Sequence, residues 1–341
     1  LYFYQNYFRR RYWIKKQQGM ATTFKKHNPS LKTNNDTGFG TNANDYGGRF
    51  INKDGTFNLR REGMPFLRHI SIYQKLLNLP VWKFIGSIIL FYIISNLLFT
   101  TIYLFIGVDQ LQGINVSDGW TKFKQVFYFS TETFTTVGYG RVNPLGDAAN
   151  IVASFEALSG FLSFAIATGL IYGRFAKPKS YLLFSDKALI SPHQDKTALM
   201  FRLVTYKDNH TLTNVEIKVN IALRIENDGH STYNFYDLSL ERYKVDNLPM
   251  NWTVVHAIDE NSPLYGFTEE DMVAADVELY VLVTAFDEVF STPVLRRTSY
   301  TYKEMLFDAK FVPMYRESDD GRTTILEMHK LNEVKILKHR N

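Results

Sequence analysis

The residues best suited to a chemical task are Thr136-Val137-Gly138-Tyr139-Gly140, and the groups that matter there are backbone carbonyls rather than side chains. Glycines at 138 and 140 can take φ values that bulkier residues avoid, so successive carbonyls can all face one axis. Four such segments around an axis make stacked cages of oxygen that replace a cation's water shell. Thr136 adds a hydroxyl cage at the inner end, while Val137 and Tyr139 are expected to point away and pack behind. Just upstream, Trp120 to Thr133 reads as a short aromatic-rich helix, whose partially negative C-terminus favours a cation beyond it.

Irregular backbone of this kind is tolerated at membrane depth only where protein or a water-filled cavity satisfies it, so apolar spans must flank it. Phe84 to Val108 carries no charged residue, and Ala148 to Gly173 carries only Glu156. The first is long enough for roughly 37 Å of helix at 1.5 Å per residue, more than a bilayer core needs. The segment between them, Trp120 to Gly146, is too short to cross and must be re-entrant. Arg60, Arg61, Arg68, Lys75 and Lys83 precede the first span, and Arg174, Lys177 and Lys179 follow the second. Only Lys122, Lys124 and Arg141 lie between the spans, which puts both termini on the cytoplasmic side.

Composition agrees with a chain that is mostly in water. The 341 residues are 45% hydrophobic with a net charge of +5 and no cysteine, and the mean hydropathy is −0.19. The length suggests about two domains. Without cysteine there is no disulfide framework, zinc ribbon, iron–sulfur cluster or thiol catalysis. The basic excess is too small and dispersed for a nucleic-acid footprint. The eight histidines are scattered, and no nucleophile elbow, Walker loop or carboxylate pair appears, so an enzyme has no residues to rest on. Gly38–Ala43 (GFGTNA) fits a dinucleotide fingerprint loosely but lies in polar coil, without the strand and helix that motif needs.

The opening residues are aromatic and basic without a secretory core. Met20 is read as the start, the alternative being that residues 1–19 form an interfacial tether. Phe66, Ile70, Tyr73 and Leu77 recur at helical spacing opposite polar residues, which predicts an amphipathic helix on the membrane surface. Beyond residue 180, Val215, Ile217, Val219, Ile221, Leu223 and Ile225 alternate with mostly polar neighbours, as does Val277–Ala285 with period two. Half-buried strands without long helices between them point to an antiparallel sandwich.

The TVGYG segment is similar to the filter of potassium channels as a class. No helix carries arginine at every third position, so a voltage-sensor module is not expected. Further stretches resemble inward-rectifier (Kir) channels: Arg49-Phe50-Ile51-Asn52-Lys53-Asp54-Gly55, Ala176-Lys177-Pro178-Lys179, Leu183-Phe184-Ser185, Leu199-Met200-Phe201-Arg202, His256 to Tyr265, and Ser299-Tyr300. The resemblance runs from about residue 45 to 335. The missing cysteines fit its prokaryotic, KirBac-like branch and a bacterial inner membrane.

That resemblance implies a homotetramer of membrane α plus all-β class. Its two-transmembrane-helix pore has a re-entrant pore helix, followed by an immunoglobulin-like β-sandwich cytoplasmic domain. The expected division is a disordered tail at 1–44, a pore domain at 45–179 and the cytoplasmic domain at 180–341. Within the pore domain lie a slide helix at 66–79, an outer helix at 81–108, pore helix and filter at 120–140, and an inner helix at 147–176. The implied roles are K⁺ coordination by Thr136, Val137, Gly138 and Tyr139 with Gly140 closing the filter, and filter support by Glu132, Arg141 and Glu156. An inner gate is expected at Gly160, Phe164, Thr168 and Tyr172, with Gly160 as hinge, and a cytoplasmic pore loop at Ala285 and Phe286, with Asp228 near a pore-lining position. Lys83, Arg174, Lys177 and Lys179 are expected to meet anionic lipids, although Ser180 replaces a lysine common in the family and simple positive-inside anchoring remains open. Phe164 stands where strong rectifiers place an acid, so Mg²⁺ and polyamines gain no attractive site and rectification should be weak. No cofactor is expected, K⁺ being the permeant ion. Two other readings use the same residues: a weakly selective cation channel, and a non-conducting, membrane-anchored β-sandwich binding protein.

Overall fold

A computed structural model of the chain describes residues 33–34, 49–63, 71–115, 118–208, 211–227 and 230–337. The expected tail at 1–44 falls outside them apart from Thr33 and Asn34, as do Phe66, Arg68 and Ile70 of the surface helix, and Asp228. The chain forms two compact units, Arg61–Lys177 and a second made of Leu1–Arg60 with Pro178–Asn341. Residues 49–60, expected with the pore, therefore belong to the β-rich unit.

In the first unit, α1 (Ile72–Asn78) starts where the Ser71 hydroxyl accepts the Gln74 N–H at 3.3 Å. Pro80 then caps α2 (Val81–Ile106), which ends at Gly107, φ 111°. A side chain there would be strained and would stand 2.4 Å from Asp109 Oδ1, so this outer helix stops two residues short of its expected end at 108. Ile89, Leu90, Phe91, Leu98 and Phe105 are exposed along it, an apolar surface that suits lipid and not water. The two-residue strands β1 (Leu111–Gln112) and β2 (Asn143–Pro144) pair antiparallel on either side of α3 (Gly119–Phe134). The Asp118 carboxylate accepts the Thr121 N–H at 2.8 Å and caps α3. The inner helix α4 runs unbroken over Asp147–Phe175. Tyr103, Leu111, Val126, Phe129, Val142 and Ala149 form the buried centre of this unit.

The second unit is a sandwich of two five-stranded sheets. One has β11 (Thr292–Thr301), β10 (Glu278–Asp287), β6 (Leu212–Asn227) and β7 (His230–Asp237) in that order, with β8 (Lys244–Asn247) beside β6. The other has β12 (Met305–Phe307), β4 (Ala188–His193), β5 (Lys196–Thr205) and β3 (Leu182–Phe184), with β9 (Trp252–Ile258) beside β5. All these pairings are antiparallel except β12 with β4. A short α5 (Glu269–Ala274) precedes β10, and the hairpins β13 (Ala309–Phe311) with β16 (Val334–Ile336) and β14 (Tyr315–Glu317) with β15 (Thr324–Leu326) follow β12. The predicted alternation in β6 is observed: Val215, Ile217, Val219, Ile221, Leu223 and Ile225 are all in the core.

The opposite face of that sheet is also covered. Phe50 and Ile51 pack on Ala222, Phe235 and Tyr280, and the Phe50 ring meets those of Tyr233, Phe235 and Tyr280 edge-on at 5.7–6.0 Å. Arg49 donates to Glu304, Ser299 and the Ile51 carbonyl. Lys53 stands 3.5 Å over the Tyr300 ring. Residues 49–57 are thus a strap on the sandwich, turned at Gly55 (φ 87°), whose Cα lies so near the Arg297 carbonyl that a Cβ would sit 2.4 Å from its oxygen. Upstream, the Asn34 N–H donates to the Phe235 carbonyl at 2.7 Å.

Candidate functional site

Helix α3 is capped at its C-terminus by Thr135, and the handedness of the backbone then alternates. Thr136, Gly138 and Gly140 have φ of 58°, 57° and 79°, while Val137 and Tyr139 between them keep negative φ. A left-handed conformation costs a β-branched residue such as Thr136 about 1–2 kcal/mol, and hydrogen bonds hold it there. The Thr136 N–H donates to the Thr133 carbonyl at 3.0 Å, and the Val137 and Gly138 N–H groups reach the Glu132 carbonyl at 2.9 and 3.4 Å. Among the described residues, nothing donates to the carbonyls of Thr136, Val137, Gly138 or Tyr139. Backbone acceptors are normally satisfied, so four consecutive unpaired carbonyls are free to meet a cation. At the far end the Gly140 carbonyl accepts from Asn143 Nδ2 at 3.0 Å, which ties the segment to β2.

Several expected supports take other forms. Val137 and Tyr139, expected to pack behind the filter, are exposed in the single chain at 53% and 80%. Glu132 and Arg141 form no ion pair with one another among the described residues, and Glu132 contributes its carbonyl instead. The Arg141 carbonyl lies against Gly113, where a Cβ would stand 2.1 Å away.

Glu156 is fully buried and both its oxygens are used: Tyr103 donates to Oε2 at 2.7 Å and Ser130 to Oε1 at 2.5 Å. The expected hydrogen bonding of Glu156 is therefore present, and its partners are two residues that sequence reasoning missed. The available signal was polarity in apolar surroundings, since a polar side chain in a span needs a partner. Asn96 gives the same signal on α2.

The inner-helix residues do not act alike in the single chain. Gly160 is buried, and a Cβ on it would stand 1.8 Å from the Phe134 carbonyl oxygen. Its smallness is required for helix packing, whether or not it also bends. Phe164, Thr168 and Tyr172 are exposed on one face, and the Thr168 hydroxyl donates back to the Phe164 carbonyl at 2.9 Å. Of these three, Phe164 lines a cavity of about 800 Å³, together with Phe84, Ser87 and Tyr92 of α2 and with Thr135 and Thr136.

Two of the expected lipid-contacting cations already have partners. Arg174 donates to the Leu77 carbonyl at 3.3 Å and lies 5.3 Å over the Phe84 ring, and Lys177 donates to Asn78 Oδ1 at 2.7 Å. Both hold the end of α1. Lys83 lies 5.3 Å over the Trp82 ring, and Lys179 is exposed.

In the sandwich, Ala285 and Phe286 are not a loop. Both belong to β10, paired with Val294 and Pro293, and a bulge interrupts the β6 register between Thr284 and Phe286. Ala285 faces the core at 5% exposure, and only Phe286 presents surface. The loop tip lies at 288–291. A Ser–His pair, His256 Nε2 to Ser262 Oγ at 2.8 Å, is sealed inside, with His256 Nδ1 2.7 Å from the Ser239 carbonyl. Burial pushes the His256 pKa down. The pair joins β9 to the following turn, with both residues buried.

The class of the protein follows from the first unit. Residues 87–177 match the family model described as "Ion channel", in agreement with two spans around a re-entrant helix. The sandwich then narrows the class, because residues 182–340 match the inward rectifier potassium channel C-terminal domain. The chain is 34% identical over 290 residues to the inward rectifier potassium channel Kirbac3.1 of Paramagnetospirillum magnetotacticum, covering 84% of this chain and 95% of that one. Against human inward rectifier potassium channel 4 the identity is 30% over 228 residues, 62% of this chain and 50% of the other. Among solved structures, sporulation control protein Spo0M of Bacillus subtilis overlaps 36% of this chain and 49% of its own at 8% identity and TM-score 0.22, too slight a likeness to carry an argument. The chain belongs to the inward rectifier potassium channel family, in its prokaryotic, KirBac-like branch. It is a membrane channel protein and not an enzyme.

Proposed function

We propose that four copies of this chain assemble around one axis and conduct K⁺ passively through Thr136–Gly140, with both termini in the cytoplasm and the membrane being a bacterial inner membrane. The observation that carries this reading is the run of four unpaired carbonyls on backbone of alternating hand. Alternation can turn successive carbonyls to one side, as it does for N–H groups in anion nests, and four copies complete the cages that replace K⁺ hydration. Exposed Val137 and Tyr139 then find cover on neighbouring copies. The exposed stripe Phe164, Thr168 and Tyr172 closes the inner end by dewetting. Phe164 offers Mg²⁺ and polyamines no charge, so rectification is weak, and anionic lipid acts on Lys83, Arg174, Lys177 and Lys179.

The test is flux into liposomes containing the purified protein, comparing K⁺ with Na⁺ and adding Ba²⁺. Ba²⁺-sensitive flux of K⁺ but not Na⁺ is expected, and Gly138→Ala should abolish it. Gly138 sits at φ 57° with nothing within 4 Å of a Cβ, so that variant strains the filter backbone without disturbing the rest of its own chain. Comparable flux of Na⁺ and K⁺ would instead mean a weakly selective cation channel.

A further inference from the structure

Behind the filter, α2, α3 and α4 meet in a polar cluster with no exposed member. Asn96, Thr100 and Tyr103 come from α2, Ser130 from α3 and Glu156 from α4, each at 0–1% exposure. The two oxygens of Glu156 take one hydroxyl from each neighbouring helix, Tyr103 at 2.7 Å and Ser130 at 2.5 Å. Ser130 Oγ also lies 3.2 Å from the Asn96 carbonyl and 3.3 Å from Asn96 Oδ1. Asn96 Nδ2 is held by the Tyr92 carbonyl at 2.7 Å, and the Thr100 hydroxyl donates to the Asn96 carbonyl at 2.7 Å. The Tyr103 ring meets Phe129 edge-on at 5.2 Å, and Tyr92 meets Phe134 at 5.8 Å.

Ser130 lies on the last turns of the helix whose end fixes Thr136, and its neighbour Glu132 supplies the carbonyl that accepts from Val137 and Gly138. A shift of α3 along its axis would move both. Away from water such hydrogen bonds are costly to leave unmade, so the cluster fixes where α3 stops.

We infer that Tyr103, Ser130 and Asn96 are positioning residues for the filter, and that through Glu156 they make the filter's ion selectivity depend on where the outer helix stands. This rests on the K⁺-channel reading above. Glu156 is the joint: its carboxylate takes side-chain hydrogen bonds from both α2 and α3. The conformation of Thr136 and Val137 is set from the lipid-facing helix as well as from within the pore.

The variants are Tyr103→Phe, Ser130→Ala, Glu156→Gln and Glu156→Ala of the full chain in liposomes. Tyr103→Phe keeps the ring and removes one hydroxyl. The expected result is a Ba²⁺ half-block concentration raised by at least roughly fivefold, the weight of one buried hydrogen bond, with a higher Na⁺ to K⁺ flux ratio. Gln can still bond both hydroxyls, so Glu156→Gln should keep more selectivity than Glu156→Ala. Tyr103→Phe and Glu156→Gln should combine non-additively, since they share one bond. A second measurement does not need an open pore: the thermal midpoint in K⁺ minus that in Na⁺, which reports ion binding to the folded state. It should shrink in Tyr103→Phe and Ser130→Ala. Lower midpoints in both salts with an unchanged difference and unchanged Ba²⁺ block would leave the cluster a structural role only and overturn the inference. Wild-type protein with neither K⁺-selective flux nor K⁺-specific stabilisation would overturn the filter reading itself, and this inference with it.

Discussion

The Cα of Gly160 lies so close to the Phe134 carbonyl that an added methyl would stand 1.8 Å from its oxygen and 2.7 Å from its carbon. Phe134 is the last residue of the re-entrant helix, so the inner helix touches the end of α3 at this glycine. Gly169, further along the same helix, has nothing within 4 Å of a Cβ. Two substitutions of the same kind should therefore differ in sign. Gly160→Ala forces α3 and α4 apart and should cost about 1–3 kcal/mol, with loss of K⁺ flux. Gly169→Ala should be neutral or should stabilise the helix by up to about 1 kcal/mol. Thermal unfolding in detergent compares them. Equal midpoints for the two variants would contradict the close contact.

The strap at residues 49–57 should dock in a pH-dependent way, with two groups acting in opposite directions. Glu278 is 5% exposed, accepts from the Phe50 N–H at 3.3 Å and from the Tyr280 hydroxyl at 2.9 Å, and leaves Oε1 without a partner. Burial pushes its pKa from 4.5 up to about 7, against the pull of those bonds and of Arg49, while Asp276 adds to the rise. A raised carboxyl pKa means stability fully present below 4.5 and lost as pH rises through about 7. The full swing is on the order of 3 kcal/mol. Lys53 is lowered to about 8, mainly by burial, with Glu304 and Asp186 opposing and Arg49 and Lys187 adding. For a lowered lysine, docking strengthens again as pH rises from about 8 towards 10.5. Amide hydrogen exchange of the strap, corrected for intrinsic rate, should show weakest protection near pH 7.5. Glu278→Gln should flatten the acid side only. A pH-independent strap in the wild-type protein would refute this account.

The turn of the same strap offers a sharper structural probe. Gly55 combines φ 87° with a Cβ position 2.4 Å from the Arg297 carbonyl oxygen, so Gly55→Ala meets both backbone strain and a backbone clash. Gly63 has nearly the same φ, 84°, and open space around it. Gly55→Ala should raise the rate of proteolysis within 49–60 at least tenfold, whereas Gly63→Ala should change it little. Similar digestion of the two would mean that the strap is not seated on β11.

Much of this architecture was legible in the sequence wherever the signal was local. An uncharged stretch from 84 to 108 needs a lipid-like medium, and strict alternation from Val215 to Ile225 needs a half-buried strand. Long-range pairing was not legible. The partners of Glu156 lie 26 and 53 residues away, and those of Arg49 about 250 residues away, with no periodicity to announce them. The pore loop at Ala285 and Phe286 came from the family resemblance, whereas the period-two pattern of Val277–Ala285 already put Ala285 on the core face with Leu279, Val281 and Val283. Gly160 was legible as a small residue, but the carbonyl that requires its smallness was not.

The basic residues near the membrane should separate into two groups. Arg174 and Lys177 bond to Leu77 and Asn78, so Arg174→Gln and Lys177→Gln loosen the end of α1 in any lipid. Lys179 is exposed, and Lys83 meets only the face of Trp82 among the contacts described. Each cation near an anionic surface is worth about 1 kcal/mol, equivalent to roughly a fivefold change in a binding equilibrium. Lys83→Gln and Lys179→Gln should therefore flatten the dependence of K⁺ flux on the anionic-lipid fraction and leave the thermal midpoint in neutral detergent unchanged. Arg174→Gln should lower that midpoint. A lipid dependence that survives Lys83→Gln with Lys179→Gln but vanishes on Arg174→Gln would mean that lipid acts through the α1–α4 corner and not through the exposed charges.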